Sequence, residues 1–154
     1  MALELGDSIL IPAPRDRVYA ALNDPAILQA SIPGCEELIK HSDTELEAKV
    51  VLKIGPVKAR FGGKVTLDTT NAPDGFSLRG EGNGGVAGFA KGGAVVTLED
   101  RGAETLLTYT ASADVGGKIA QLGSRLIAGT AKKLSEAFFT SFAAEVTKAE
   151  AGEA

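Results

Sequence analysis

The sequence of 154 residues contains one cysteine, Cys35, and one histidine, His41. A single cysteine excludes an internal disulfide bond, so nothing in the sequence indicates an oxidising compartment. A single histidine excludes a metal site built from several histidines, and it argues against a Ser-His-Asp catalytic set. We therefore expect no bound metal, and we expect neither Cys35 nor His41 to be catalytic.

The sequence also lacks long apolar runs and an excess of positive charge. No apolar run approaches the roughly 20 residues that a membrane-spanning helix needs. The N-terminal segment carries acids and lacks the basic residues of a signal peptide. The net charge of −4 argues against nucleic acid as a partner, because phosphate binding requires a basic surface. We expect one cytoplasmic domain over residues 1–148 and a polar tail over residues 149–154.

Alternation of apolar and polar residues with a period of two predicts strands through most of the chain. A first strand from Leu3 to Ile11 precedes two short helices, of which one begins near Pro14 and the other ends at Pro33-Gly34. Six further alternating segments follow, with turn signals between them. One apolar and one polar face on each strand is typical of an antiparallel sheet with one face in water.

A long helix is predicted over residues 116–146, where apolar residues recur at steps of three and four. Its interior contains Gly123 and Gly129, although an interior glycine costs a helix roughly 1 kcal/mol relative to alanine. These glycines indicate either close packing against a neighbouring element or space for something that is not protein. The predicted apolar stripe consists of Ile119, Leu122, Leu126, Leu134, Phe138, Phe142 and Val146.

The order of these elements predicts an α+β fold. A curved antiparallel sheet of about seven strands wraps around the long C-terminal helix, and two short helices follow the first strand. This arrangement resembles the helix-grip fold of START-like lipid-transfer and polyketide-cyclase proteins. Any internal site in such a fold lies between the helix and the sheet.

The segment 80–93 is unusually rich in glycine. Gly80, Gly82 and Gly85 match the G-x-G-x-x-G pattern of dinucleotide-binding proteins, but that pattern must lead into a helix. Here it leads into another strand pattern, so the match is spurious. Two compatible interpretations stay open. The glycines permit strongly bent strands, or they form a mobile loop whose apolar tip, with Phe89, meets a cavity, a membrane or a partner.

The strand faces that are expected to meet the helix are almost entirely apolar. Asp7 and Tyr109 are exceptions, and the other strand carboxylates alternate onto the wet face, so no enclosed acid–base pair is visible. The apolar residues either fill a core or line a pocket for a lipophilic ligand. The small residues Ala111 and Ala113 favour a pocket. The candidate ligand-binding residues are Leu28, Ile32, Phe61, Val65, Phe76, Leu78, Phe89, Val96, Leu107, Tyr109, Ala111, Ile119, Leu122 and Leu126.

Five segments resemble one branch of the START-like proteins, the CoxG family of carbon monoxide dehydrogenase subunits. They are residues 11–25, 32–38, 53–65, 80–94 and 115–134, with motifs such as IPGCEEL, KIGPVKARFGGKV and GEGNGGVAGFAKGGA. The resemblance implies that the chain accompanies a CO dehydrogenase-type molybdenum hydroxylase without taking part in its catalysis. It also implies a link between this enzyme and the membrane through a bound isoprenoid quinone, either menaquinone or ubiquinone.

The resemblance therefore leads us to expect a non-catalytic protein with a noncovalently bound quinone and a peripheral contact with the inner face of the cell membrane. An assembly or anchoring adaptor of the dehydrogenase, without ligand transport, is the alternative function. An enzyme, as in some helix-grip relatives, is a third class, and Tyr109 and Asp7 are its only visible candidates.

Overall fold

One antiparallel sheet packs against a long C-terminal helix in the computed structural model, which describes the backbone of residues 2–153 and the side chains of residues 2–148. The strands are β1 (Ala2–Ile11), β2 (Cys35–Ser42), β3 (Glu45–Ile54), β4 (Val57–Asp68), β5 (Gly75–Asn83), β6 (Phe89–Arg101) and β7 (Glu104–Gly116). The helices are α1 (Arg15–Leu22), α2 (Pro25–Ser31) and α3 (Ser124–Glu153). The sheet order β1-β7-β6-β5-β4-β3-β2 confirms the predicted helix-grip fold.

Two prolines and one aspartate position the short helices that follow β1. Pro14 precedes α1 with an extended backbone, and Pro25 opens α2, where a missing N–H leaves no donor unsatisfied. The Asp24 carboxylate accepts a hydrogen bond of 2.9 Å from the Ala26 N–H and so caps α2. These local signals fix the two helices at one end of the sheet, where Val18 of α1 is fully buried.

The apolar face of each strand lies on the side of the sheet that faces α3, as the period-two pattern predicts. Leu78 of β5 pairs with Ala94 of β6, and Ala94 pairs with Ala111 of β7. Ala111 in turn pairs with Leu5 of β1, so these side chains form a row across four strands. Among the described strand pairs, the register shifts only between β2 and β3.

The glycine-rich segment forms a pair of adjacent strands, β5 and β6, joined by a short turn at residues 84–88. The pairing of β5 with β6 runs without interruption from Gly75 to Asn83. A Cβ atom at Gly92 would overlap the backbone oxygen of Ser112 in β7. The strands therefore approach one another more closely here than a larger residue allows.

The predicted helix over residues 116–146 is wrong in its first part. β7 continues to Gly116, and a short 3₁₀ turn over Lys118–Leu122 follows it. Gly123 then has φ 95° and ψ 149°, a conformation that is adopted almost only by glycine. Helical hydrogen bonding cannot continue through that conformation, so α3 begins at Ser124.

The later start of α3 changes which of its residues face the sheet. Ile127 is 5% exposed and packs in the core, whereas Leu126 of the predicted stripe is 38% exposed. Gly129 is exposed, and no atom of another element lies within 4 Å of the position that its Cβ would occupy. Neither predicted reason for Gly129 applies, and nothing in the structure explains this glycine.

The C-terminal end of α3 passes the predicted boundary at residue 148. The helix continues to Glu153, so the backbone of most of the predicted polar tail, residues 149–154, extends α3. The side chains of this segment and the whole of Ala154 lie outside the described residues.

The buried residues form two separate clusters on the helix-facing side of the sheet. In β7 the large cluster ends at Tyr109 and the small cluster begins at Val115, and in α3 Phe142 belongs to the first and Ile127 to the second. The large cluster is Ile11, Ala13, Val18, Ala21, Leu22, Leu67, Phe76, Val96, Leu98, Leu107, Tyr109, Phe142 and Val146. The small cluster is Ile54, Phe61, Ala87, Val115, Ile119 and Ile127.

Candidate functional site

A band of small residues separates the large cluster from the small cluster. On the sheet, Ala94, Ala111 and Ala113 belong to neither cluster and stay partly exposed, although they face α3. On α3, Ala131 and Leu134 stay partly exposed in the same way. Protein interiors pack at near-crystal density, and these small residues belong to neither cluster, so packing between the sheet and α3 is less dense here than inside the clusters. We call this region the inner space.

The sheet wall of the inner space has no bulky side chain at its centre. Gly80 pairs with Gly92, and Gly92 pairs with Ala113, on the same face as the alanines. Leu5 and Leu78 border this wall, where they pack against the large cluster and remain partly buried. The wall is therefore apolar, and it offers room for a flat or chain-like hydrocarbon group.

Tyr109 places a polar group where the large cluster meets the inner space. Its side chain is 9% exposed, and its ring stacks on that of Phe139 in α3 with centroids 5.2 Å apart. The hydroxyl has no hydrogen-bond partner among the described residues, and the only fully buried unpaired side-chain atom among them is Nε of Arg15. The Tyr109 hydroxyl is therefore accessible, and it can donate a hydrogen bond to a bound molecule.

Ser135 provides a second hydroxyl on the same part of α3. It is partly buried and lies one turn before Phe139, the residue on which Tyr109 stacks. The hydroxyls of Thr130 and Thr147 each bond the backbone oxygen four residues earlier, whereas Ser135 has no such bond among the described residues. Sequence reasoning missed Ser135, because its position becomes informative only once the contact between Phe139 and Tyr109 is known.

The end of the inner space beside the glycine-rich loop is closed by the small cluster. Ala87 of the Gly85–Ala87 3₁₀ turn and Ile119 are each 3% exposed, and Phe61 lies beneath them. A Cβ at Gly84 would lie 2.5 Å from Cε1 of Phe61, so the loop rests directly on this ring. A ligand can therefore enter the inner space beside this loop only if the small cluster separates.

Most of the predicted ligand-binding residues belong to the two buried clusters or pack against them. Six belong to the large cluster or pack against it: Val65, Phe76, Leu78, Val96, Leu107 and Tyr109. Three belong to the small cluster or pack against it: Phe61, Ile119 and Leu122. Ala111 lies between the clusters, and Leu28 and Ile32 lie in α2 and at its end, where α2 packs against α3.

Phe89 and Leu126 do not face the inner space, which corrects their predicted role. Ala90 packs against the small cluster, so its neighbour Phe89 lies on the outer face of the sheet, where it covers Gly116 and is 48% exposed. Leu126 instead approaches the β3–β4 turn at Gly55. The sequence could not show either placement, because the glycines around Phe89 hide the strand alternation and the break at Gly123 shifts the helix phase.

The carboxylates with the clearest pKa shifts lie on the outer surface. The Arg60 guanidinium donates a hydrogen bond of 2.6 Å to the Glu36 carboxylate and lowers its pKa. A hydrogen bond from His41 lowers the pKa of Glu47 in the same way, and burial raises the pKa of the Cys35 thiol. None of these groups is in either cluster, so they provide no tuned acid or base for the inner space.

Other kinds of site are not formed by the part of the chain that the structure describes. Asp7 shares the helix-facing register of Tyr109, but it is exposed on the edge strand β1. No three His, Cys, Asp or Glu side chains in residues 2–148 come together as ligands for a metal ion. No helix within the described residues is both long and apolar enough to cross a bilayer.

A shallow trough of about 1460 Å³ lies along the sheet. Lys64, Arg79 and Asp114 line it, and so do Ala94, Ala111 and Ala113 of the band, whereas no α3 residue contributes to it. Its charged lining residues alternate with the alanines, so these charges lie on the face of the sheet that points away from α3. Its mixed charges and open shape suit water better than a lipophilic ligand.

Comparisons with known proteins identify relatives of this chain. The sequence profile of the CoxG family of carbon monoxide dehydrogenase subunits matches residues 8–147. A conserved protein from Geobacillus kaustophilus is 33% identical, with a TM-score of 0.87 and coverage of 95% of this chain and 96% of its own. A search of curated proteins gives no match.

Two further solved structures share the fold alone. Zhui aromatase/cyclase from Streptomyces sp. R1128 is 13% identical, with a TM-score of 0.70 and coverage of 96% of this chain and 95% of its own. A START superfamily protein from Mycobacterium smegmatis is 12% identical, with a TM-score of 0.71 and coverage of 94% of this chain and 97% of its own.

Proposed function

We propose that this chain, which belongs to the CoxG family of carbon monoxide dehydrogenase subunits, binds a lipophilic ligand in the inner space without transforming it. The ligand is an isoprenoid quinone, either menaquinone or ubiquinone. The partner is a CO dehydrogenase-type molybdenum hydroxylase, whose electrons the quinone accepts. The protein thereby connects this enzyme to the quinone pool of the membrane.

The observation that carries the proposal is the division of the core into two clusters. A domain of this length can bury one continuous core, yet here Ala94, Ala111 and Ala113 lie between the clusters and belong to neither. A hydrocarbon group in that position would restore the missing contacts with the sheet and with α3. The inner space therefore suits an apolar ligand better than water.

The hydroxyls beside the inner space suit the head group of a quinone. A quinone carries only hydrogen-bond acceptors, its carbonyl oxygens, and the accessible hydroxyls of Tyr109 and Ser135 are donors. A carboxylate in the same place would repel these oxygens, and the carboxylate in the register of Tyr109, Asp7, is exposed on the edge strand and accepts a hydrogen bond from the Ser8 N–H. The expected pose places a quinone carbonyl at Tyr109 and the isoprenoid tail along the alanines.

The free energy of quinone burial implies that the protein must touch the membrane when the quinone is transferred. Burial of a methylene group is worth roughly 0.8 kcal/mol relative to water, so an isoprene unit gains on the order of 3–4 kcal/mol in the inner space. The hydrocarbon of a bilayer offers the same gain. Transfer between membrane and protein is therefore near neutral in free energy, and the protein must contact the membrane to avoid exposing the tail to water.

The proposal includes the statement that the protein does not catalyse a reaction of its ligand. General acid–base catalysis needs a positioned group with a suitable pKa, and the shifted carboxylates described above lie outside the inner space. The fold that the chain shares with Zhui aromatase/cyclase carries no activity across at 13% identity. The protein is therefore an accessory of the dehydrogenase.

Filling the inner space tests the proposal. We expect the Ala111→Leu variant to lose binding of a short-chain menaquinone while its free energy of unfolding changes by less than about 1 kcal/mol, because the added carbons enter vacant space. A filled core would instead lose about 1–3 kcal/mol through overpacking. Native mass spectrometry with added menaquinone measures the first quantity, and urea denaturation of the ligand-free protein measures the second.

The matched control is Ala103→Leu, which adds the same carbons at an exposed position in the β6–β7 turn. This variant should bind menaquinone as the unchanged protein does. Strong destabilisation by Ala111→Leu would show that the band is packed and would overturn the inner space. A stable protein that associates with the dehydrogenase but never binds menaquinone or ubiquinone would support the adaptor function instead.

A further inference from the structure

Three segments meet at the end of the molecule beside the small cluster. They are residues 53–58 around the β3–β4 turn, residues 84–89 between β5 and β6, and residues 116–126 between β7 and α3. Each supplies a buried residue to the small cluster: Ile54, Ala87 and Ile119, respectively. A Cβ at Gly117 would lie 2.6 Å from the Cα of Gly88, so two of these loops touch through their backbones. We call their combined outer side the tip surface.

The tip surface is basic in a protein whose net charge is −4. Its charged residues are Lys53, Lys58, Lys118 and Arg125, all exposed, and the three segments contain no Asp or Glu. Within residues 2–148, none of these four cations is paired with a carboxylate. The positive charge at this end is therefore uncompensated and available to an anionic partner.

The acids that come next to the tip surface in sequence do not neutralise it. Glu81 of β5 lies opposite Lys64 and Lys91 in the neighbouring strands. Asp114 of β7 also lies opposite Lys91. These acids face basic residues on the sheet, below the loops of the tip surface.

The tip surface also carries exposed apolar side chains. Val86 is 94% exposed at the end of the glycine-rich loop, Phe89 is 48% exposed beside it, and Leu126 is 38% exposed at the start of α3. Leu10, Ile39 and Val95 are the other large apolar residues of the described part that are exposed to this degree. Half of the exposed large apolar residues thus lie where the unpaired cations are.

We infer that the tip surface docks on a membrane that contains anionic lipids. Apolar side chains at the ends of loops enter the boundary between headgroups and acyl chains, while lysine and arginine around them contact lipid phosphates. A nearly fully exposed valine among cations suits such a soft, anionic, partly apolar surface. An acidic protein face would satisfy the charges but would need an apolar pocket shaped for Val86, whereas the fluid interior of a bilayer does not.

The inference deepens the proposed function, and it rests on that function only for the identity of the cargo. The small cluster lies directly behind the tip surface and closes the inner space. Docking would bring this closure to the level of the lipids from which a quinone must enter. Gly85 and Gly117 lie two residues before Ala87 and Ile119 and have φ of 64° and 79°, so each turn depends on a backbone conformation that glycine adopts most readily.

Vesicle binding with a charge-matched control tests the inference. The triple variant Lys58→Ala, Lys118→Ala and Arg125→Ala removes three cations from the tip surface. We expect its partition onto vesicles of equal parts phosphatidylglycerol and phosphatidylcholine to fall at least about tenfold in a sedimentation assay. The control triple variant Lys49→Ala, Arg79→Ala and Arg101→Ala removes the same charge from exposed positions elsewhere and should change partition far less.

Further measurements separate lipid docking from non-specific charge attraction. Pure phosphatidylcholine vesicles and high salt should both release the unchanged protein, because the attraction is electrostatic. Val86→Asp should weaken binding to the mixed vesicles, and Val86→Leu should preserve it. Equal losses in the two triple variants, or no binding of the unchanged protein to the anionic vesicles, would overturn the inference. Menaquinone binding in solution is measured without vesicles, so failure there would count against the proposed function and not against docking.

Discussion

At the scale of single residues, Tyr109 connects the architecture to ligand chemistry. The Tyr109→Phe variant keeps the ring that stacks on Phe139 and removes only the unpaired hydroxyl. We expect affinity for menaquinone to fall about three- to tenfold, which corresponds to one neutral hydrogen bond of about 0.5–1.5 kcal/mol. The midpoint of thermal unfolding of the ligand-free protein should stay unchanged, because the hydroxyl has no partner to lose.

Tyr19→Phe is the matched control for this prediction. The ring of Tyr19 lies edge-on to that of Phe76, with centroids 6.2 Å apart, and packs against the far side of the large cluster. Titration of both variants with menaquinone, followed by native mass spectrometry, gives the two affinities. Equal affinities in the two variants would contradict a role for Tyr109 at the quinone head group.

The face of the sheet on which a strand residue lies was predictable wherever the alternation of apolar and polar residues is unbroken. Leu78, Val96 and Ala111 were assigned correctly to the helix-facing side, because a period of two leaves only two choices and the apolar pattern selects one. Phe89 was not, since glycines around it carry no side chain to show the pattern. Ser135 could not be found either, because its value depends on a contact between distant residues.

At the scale of secondary structure elements, two glycines near the start of α3 should respond oppositely to the same substitution. Gly123→Ala forces alanine into φ 95° and ψ 149° and should lower the free energy of unfolding by about 1–3 kcal/mol. Gly129→Ala lies in an exposed part of α3 with nothing near its Cβ, and it should raise that free energy by about 0.5–1 kcal/mol. Urea denaturation of both variants checks the signs.

The same pair of variants distinguishes the observed structure from the helix that the sequence predicted. In one continuous helix over residues 116–146, both glycines would be interior, and both substitutions would stabilise the protein. Periodicity alone could not separate the two cases. Ile119 and Leu122 fit a helical stripe, yet they belong to a 3₁₀ turn, and only the backbone of Gly123 reveals the change.

At the scale of the whole molecule, the larger part of the buried core and the candidate entrance for a ligand lie at opposite ends. Among the described residues, thirteen buried residues form the large cluster and six form the small one, so the small cluster has less apolar burial to oppose opening. The small cluster is also the one behind the tip surface. The fold class was predictable from element order, whereas this division of the core was not, because it depends on where α3 begins and which residues it covers.

Hydrogen exchange should therefore show that the end of the molecule with the small cluster opens while the large cluster stays closed. The amides of Ala87 and Ala120 bond within short turns at 3.2 Å and 3.1 Å, and they should exchange on the order of 100-fold faster than those of Leu98 and Leu107 in the large cluster. Phosphatidylglycerol-containing vesicles should change the exchange rates of the amides in the turns. The exchange rates of the amides in the large cluster should stay the same, since only the tip surface docks. Exchange mass spectrometry with and without vesicles measures both effects. Uniform exchange across the two clusters would mean that the molecule opens only as a whole, and a quinone would then need another route into the inner space.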